Sequence, residues 1–286
     1  MMATARLPQD DYRVAVIGSG QLASSLLTGL LASGFPAERC IGLQRSGPRQ
    51  RFAVADEARL AGVEWICDLD RLPLDVVVLA VKPKDLPAIA RAMADTGRRP
   101  GILVSTAAGV SAAELGDAFA PSLAVVRCMP NLGAAVGRSS TLVWPYAGLG
   151  PAVRRVVDQL LGSLGTLWPM ASEDDLDAAT AFAGAGIAYL ARMALALAHA
   201  GERLGLDETT SAAIARELCV ATGALLDTPA ATPKLVMAGV ASPGGMTEQA
   251  LHHLNREGLD RSVLEAMRRS LNIRNCLEAQ RGSVAQ

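Results

Sequence analysis

The sequence predicts an α/β domain built on a parallel sheet, followed by an all-helical domain. Three observations carry this. Up to about residue 169, short continuous apolar runs alternate with helical patterns, as buried parallel strands joined by crossover helices do. Beyond residue 170 the strand-like runs stop and helical periodicity continues. Half of the 286 residues are hydrophobic but only 3% are aromatic, which suits a buried sheet and closely packed helices.

The elements follow in order. "YRVAVIGSG" ends a first strand at Gly18, and "QLASSLLTGLLASG" continues as a helix stopped by Gly34. "CIGLQRS", "VEWIC", "LDVVVLAVKP", "GILVSTAAG", "AVVRCMPN" and "STLVWP" read as strands two to seven. Helical patterns lie between most of them, at 84–95, 111–119 and 151–164. After "GTLWPM" only helices are expected: 173–204, 207–227, 246–257 and 260–280, punctuated by Gly205, Pro229, Pro233, Pro243 and Gly258. The expected domains are therefore 1–168 and 169–286.

Composition excludes several classes. The net charge is -1 with no long run of one sign, so neither nucleic acid nor an anionic membrane is an expected partner. Cys40, Cys67, Cys128, Cys219 and Cys276 are scattered and odd in number, as reduced cytosolic thiols are. "MMATARLPQDDYR" has no apolar core and is not a secretory signal, so the expected location is cytoplasmic. The most apolar stretch, Ala178 to Ala200, is interrupted by Arg192 and reads as a buried helix, not a membrane span.

One motif points to a cofactor. Gly18-x-Gly20-x-x-Ala23 joins the first strand to the first helix. Gly18 permits the turn, Gly20 lets backbone approach a pyrophosphate, and Ala23 keeps the helix near the sheet. Alone the pattern matches chance loops; at the first strand-helix turn of an alternating domain it specifies a dinucleotide. The second strand ends Gln44-Arg45-Ser46. An Arg and a hydroxyl suit a 2′-phosphate, and no carboxylate repels it, so NADPH is favoured over NADH; a solvated loop Arg is the alternative. "Ala80-Val81-Lys82-Pro83" and "Ser105-Thr106-Ala107-Ala108-Gly109" end the fourth and fifth strands, where ligands of open sheets lie.

Other chemistries lack their residues. His199, His252 and His253 have no metal-ligand spacing, and neither a Gly-x-Ser-x-Gly elbow nor a phosphate-binding Lys loop occurs. Hydride transfer needs none of these, only an oriented electrophile beside a reduced nicotinamide. "SPGGMTEQAL", 242–251, breaks a helix and starts another. Thr247 there reads from residue physics alone as a cap.

Taken together, "VAVIGSGQLASSLLTGLL", "LAVKP", "STAAGV", "RCMPN", "DAATAFAGAGIAY" and "VASPGGMTEQAL" resemble the pyrroline-5-carboxylate reductase family over residues 14–277. The resemblance implies a Rossmann-type domain and a helical domain that dimerises by interleaving, often within a larger ring such as a decamer. It implies NAD(P)H-dependent reduction of the cyclic imine 1-pyrroline-5-carboxylate to L-proline. By that similarity Ile17, Gly18, Ser19, Gly20, Gln21, Leu22, Ala80, Val81, Lys82, Pro83, Thr106, Ala107 and Ala108 contact cofactor. Arg45 and Ser46 sit by the adenosine ribose, and Glu173 matches a position near the cofactor in some members. Ser242, Gly244, Gly245, Met246 and Thr247, with Met129, are the expected substrate contacts. The Met246 and Thr247 amides would hold the carboxylate, and the Thr247 hydroxyl would lie near the imine nitrogen as the expected catalytic group.

The chain also departs from the family pattern. Ala185 and Ile187 stand where Ser and Pro are usual, Leu132-Gly133 where Thr-Pro is usual, and Met246 where Thr is common. Gly239 replaces a polar residue of some members. Reduction of another cyclic imine is therefore a second reading, and a cofactor-binding scaffold with little catalysis a third.

Overall fold

The computed structural model describes residues 12–43, 60, 62–119, 124–145 and 147–284. It divides into two compact units, the first running through Ala185 and taking in the chain from Ile273, the second spanning Gly186–Asn272.

The first unit is an eight-stranded sheet in the order β3-β2-β1-β4-β5-β6-β7-β8. Its strands are β1 (Val14–Ile17), β2 (Cys40–Leu43), β3 (Glu64–Ile66), β4 (Val76–Leu79), β5 (Ile102–Ser105), β6 (Ala124–Met129), β7 (Ser139–Trp144) and β8 (Gly165–Pro169). β1, β2, β4 and β5 are buried at every residue, because helices cover both faces. On one face Val14, Val16, Val76 and Val78 pack under α1 (Gln21–Ala32) and α4 (Pro151–Gly162). On the other, Ala15, Ile17, Val77 and Leu79 pack under α2 (Leu86–Asp95) and α3 (Ala112–Phe119). Neighbouring residues of one strand thus serve opposite cores.

The sheet is not wholly parallel as expected. β1 to β6 are parallel where they pair, but β7 runs antiparallel to β6, with Arg127 opposite Trp144, and β8 is parallel to β7. The reason is the short link of 130–138, which holds only the 3-10 turn Leu132–Val136. A parallel return needs a crossover of a dozen residues or more. α4 provides one between β7 and β8, which is an eighth strand.

α5 (Glu173–Ala183) belongs to the first unit, whose first stretch runs through Ala185. Leu176 of α5 packs on Met129 and Leu142, with Ala108 and Trp144 at the rim. The expected single helix 173–204 is two, α5 and α6 (Gly186–Arg203). Gly184 closes α5, and a β-carbon there would come within 2.8 Å of the Thr180 carbonyl oxygen and 3.3 Å of Met129 Cγ.

The second unit contains α6, α7 (Glu208–Leu226), α8 (Pro233–Val240), α9 (Met246–Arg256) and the first part of α10 (Leu259–Val284). α8 was not expected; Thr232 caps it through the Leu235 amide and Pro233 opens it. α6 and α7 approach closely because Ala198, Gly201, Ser211 and Ala215 are small: a β-carbon on Gly201 would lie 2.9 Å from Ser211 Oγ. Counted as one stretch, Glu173–Arg203 is long and apolar enough to cross a membrane, but the break at 184–185 leaves α6 with 18 residues, including Arg192 and Arg203. The expectation that Ala178 to Ala200 is buried fails within one chain. Ala181 and Ala198 are covered, while Phe182 is 66% and Leu190 71% exposed.

Gly29 shows how tightly α1 is seated. A β-carbon there would collide with the Ala134 carbonyl oxygen and come within 2.8 Å of Leu164 Cδ2. Gly29→Ala is therefore expected to destabilise by about 1–3 kcal/mol, against the helix-propensity trend. Gly116→Ala, in α3 with no atom within 4 Å, is expected to stabilise by up to about 1 kcal/mol. Urea unfolding of both variants checks the opposite signs.

Candidate active site

Ligands of open α/β sheets bind beyond the carboxyl ends of the strands, where strand order reverses. Here the reversal lies between β2-β1 and β4-β5. Gly18 ends β1 at a φ of 136°, where a side chain is strained. Its amide donates to the Leu43 carbonyl at 3.1 Å, and the Ala80 amide donates to the Ile17 carbonyl at 2.9 Å. A β-carbon on Gly18 would collide with the Ala80 carbonyl oxygen. The loops after β1 and β4 therefore touch through backbone.

α1 starts beyond this turn with an open end. Gly20 is its N-cap, without a side chain to cap it, and the first turn holds no acidic residue. The first helical hydrogen bond runs from the Ser24 amide to the Gly20 carbonyl at 3.1 Å. The Gln21, Leu22 and Ala23 amides find no acceptor among the described residues. Gly20 and Gln21 are exposed, and nothing lies within 4 Å of a β-carbon built on Gly20. Free amides and the positive end of the helix dipole form a cradle that fits a pyrophosphate.

The neighbouring strand ends complete the rim. Ala80, Val81 and Pro83 are half-buried and Lys82 is exposed. Thr106 donates both its amide and its hydroxyl to the Leu79 carbonyl, each at 3.1 Å, and the Ala107 amide donates to Ser105 Oγ at 3.3 Å. The loops after β1, β4 and β5 are thus tied together at one edge of the sheet. Arg45 and Ser46, expected at the ribose, lie outside the described residues.

Several other helix starts are closed. α3 has a capping box: the Ser111 amide and hydroxyl donate to Glu114 Oε2 at 2.7 and 2.6 Å, and the Glu114 amide donates to Ser111 Oγ at 3.1 Å. Ser172, Asp207 and Thr232 cap α5, α7 and α8, whereas α4 starts on Gly150 without a side-chain cap and has Pro151, which has no N–H, as its first residue. α9 is open like α1. Its N-cap is Gly245, so Thr247 is the second helical residue and not the cap that residue physics alone favoured. The Gly245 amide donates to the Ser242 carbonyl at 2.9 Å, and Gly244 turns the chain at a φ of 73°. The Met246 and Thr247 amides have no acceptor among the described residues. The Gly244 amide does: it donates to Glu248 Oε2 at 2.8 Å. Met246 is 92% exposed. The Ser242–Thr247 turn lies in the second unit, and the strand-end loops lie in the first.

One charged group lies inside the first unit. Arg127 on β6 is 1% exposed. Its Nη1 donates to Glu173 Oε1 at 2.8 Å and to Asp177 Oδ2 at 3.2 Å, and its Nη2 donates to Asp177 Oδ1 at 2.6 Å. Burial pushes the guanidinium pKa down, but the hydrogen bonds it donates to Asp177 and Glu173, with their charges, outweigh it and hold the pKa above its ordinary value. Glu173 Oε1 also accepts the Ala112 amide at 2.7 Å. At the other end of α5, Asn131 Nδ2 donates to the Ala183 carbonyl at 3.1 Å. Next to Arg127, burial pushes the Cys128 thiol up to about 12, though the Arg127 charge lowers it, so the thiol stays protonated.

Two expected site residues also make contacts within the first unit. Met129, expected at the substrate, is 8% exposed and packs under α5. Glu173, expected at the cofactor, is engaged by Arg127 and Ala112. Arg127 and Asp177 were missed as a pair. The available signal was one Arg inside the apolar strand "AVVRCM", because a buried charge must be paired. The Gly133 departure has a steric cause. Its amide donates to Asn131 Oδ1 at 3.0 Å, and a β-carbon would lie 2.7 Å from the Arg138 carbonyl oxygen.

An open cradle at the reversal point of a doubly wound sheet is the arrangement by which this class of α/β proteins binds a dinucleotide. Residues 13–109 match the family model described as "NADP oxidoreductase coenzyme F420-dependent". Residues 173–275 match "Pyrroline-5-carboxylate reductase dimerisation". The chain is 32% identical over 255 residues to pyrroline-5-carboxylate reductase of Pseudomonas aeruginosa, covering 89% of this chain and 93% of the relative. It is 32% identical over 256 residues to that of Thermus thermophilus, covering 89% and 94%. Among solved structures, 1-pyrroline-5-carboxylate reductase of Streptococcus pyogenes superposes with a TM-score of 0.75 at 26% identity, covering 92% of this chain and 97% of the other. That of Coxiella burnetii gives 0.77 at 25% identity, covering 93% and 98%. The chain belongs to the pyrroline-5-carboxylate reductase family. It is a homo-oligomer.

Arg127→Ala is expected to cost about 3–5 kcal/mol of unfolding free energy, because it leaves two carboxylates without their counter-ion. Urea unfolding reads this directly. A loss below about 1 kcal/mol would mean that the triad does not hold α5 to the sheet.

Proposed function

We propose that the chain reduces 1-pyrroline-5-carboxylate to L-proline with NADPH as reductant. The observation that carries this is the pair of open helix starts, α1 and α9, in a chain of this family. One suits a pyrophosphate and the other a small carboxylate. When bound, the nicotinamide supplies the hydride.

The chain's residues bind and orient. Ile17, Gly18, Ser19, Gly20, Gln21 and Leu22 would receive the pyrophosphate, and Arg45 with Ser46 the 2′-phosphate. Ala80, Val81, Lys82 and Pro83, with Thr106, Ala107 and Ala108, would line the nicotinamide half. Ser242 and Gly245 form the turn that presents the Met246 and Thr247 amides, which would fix the substrate carboxylate. The Thr247 hydroxyl is assigned to the ring nitrogen, where it hydrogen-bonds or passes a proton as the nitrogen loses its charge. A protonated cyclic imine already accepts hydride well, so positioning is most of the protein's task. The assembly is proposed to be an interleaved dimer, either alone or as the unit of a decamer, in the cytoplasm.

A second reading, reduction of another cyclic imine, is favoured by Met246. It places an exposed thioether at the first helical position, where a hydroxyl is common. Steady-state assays with pyrroline-5-carboxylate and piperideine carboxylates decide between them; higher kcat/KM on a piperideine carboxylate would replace the first reading with the second. Thr247→Ala is expected to lower kcat about a hundredfold and leave NADPH affinity within about twofold. Unchanged turnover would remove Thr247 from the chemistry. Arg45→Glu is expected to weaken NADPH about tenfold or more with little effect on NADH, and equal effects on the two would discard the 2′-phosphate contact.

A further inference from the structure

The loop between β5 and α3 is held at both ends. At its start, Thr106 is tied to the end of β4 through the Leu79 carbonyl. At its finish, the Ala112 amide donates to Glu173 Oε1 at 2.7 Å, across 61 positions of sequence. Ala112 is the first residue of α3, so this amide has no acceptor within its own helix. The same carboxylate oxygen takes Arg127 Nη1 at 2.8 Å. Arg127 stands opposite Ser105, the last residue of β5. Glu173 and Asp177 lie four residues apart on one face of α5, and Arg127 holds both.

We propose that Glu173 is a positioning residue for the cofactor loop. It acts through the Ala112 amide, with Arg127 as its anchor, and sets where Thr106, Ala107 and Ala108 stand. This rests on the reading that those three residues contact NADPH. The electrostatics fit the role. Two carboxylates face one guanidinium, and the positive end of the α3 dipole supplies the remaining complement. The chemistry of this cluster is structural, so its functional effect reaches the site through the loop it fixes.

Ala112→Pro is the discriminating variant. Proline is favoured at the first helical position and removes only the N–H, so Glu173 loses its link to the loop while keeping Arg127. With full-length protein, NADPH affinity is read by fluorescence titration, alongside kcat and the KM values for NADPH and imine. Ala112→Pro and Glu173→Ala are each expected to raise the NADPH Kd about tenfold, with kcat and imine KM within about twofold. The double variant should match Glu173→Ala, because the Ala112–Glu173 contact that Ala112→Pro removes is already lost there. Glu173→Gln should restore most of the affinity, since its amide oxygen still accepts the Ala112 N–H. Wild-type NADPH affinity in Ala112→Pro would overturn the proposal, as would additive effects in the double variant. If Glu173→Ala does not fold, Ala112→Pro and Glu173→Gln decide alone. Wild-type protein that fails to bind NADPH would instead discard the cofactor reading on which the proposal stands.

Discussion

A guanidinium can be buried beside a sheet only if carboxylates come to it. Arg127 sets that condition, and much of the first unit follows from it. Its partners stand on a helix that begins after the last strand, so α5 must fold back over β6 and β7. Asn131 fixes the far end of α5 through the Ala183 carbonyl. Leu176 fills the space between these two polar anchors, against Met129 and Leu142. This is why the compact unit runs on to Ala185, while the dimerisation family model starts at residue 173. α5 belongs to both descriptions.

The second organising feature is what helix starts do with their amides. A helix leaves its first N–H groups without partners. Ser111 with Glu114 and Glu173 closes α3, and Ser172, Asp207 and Thr232 close α5, α7 and α8. At α1 and α9 glycine takes the cap position and brings no side chain. The amides at these two starts remain available to anions. The same local physics thus closes a helix start where a polar side chain is provided and leaves its amides free at α1 and α9.

The reversed pair β7 and β8 extends the sheet without extending the site. β7 follows β6 through a short link capped by Asn131, which cannot support a parallel return. The carboxyl ends of β1, β4 and β5 remain together at one edge, around the contact of Gly18 with Ala80. The β6-β7 link serves α1 instead, through the close approach of Ala134 to Gly29.

Local sequence determined seven of the strands and the open start of the first helix. Continuous apolar runs placed β1 to β7, and the Gly18-x-Gly20-x-x-Ala23 spacing placed the open start of α1, because those signals are written in neighbouring residues. Three matters required tertiary structure. The direction of β7 depends on link length against strand pairing. The place of α5 depends on Arg127 meeting Glu173 and Asp177, which are 46 and 50 positions away. The start of α9 depends on which residue takes the cap position: Thr247 could have been either cap or second helical residue by composition, and the turn at Gly244 and Gly245 decided it. The first two turn on residues whose pairing no local pattern encodes, and the third on a backbone geometry that composition does not fix.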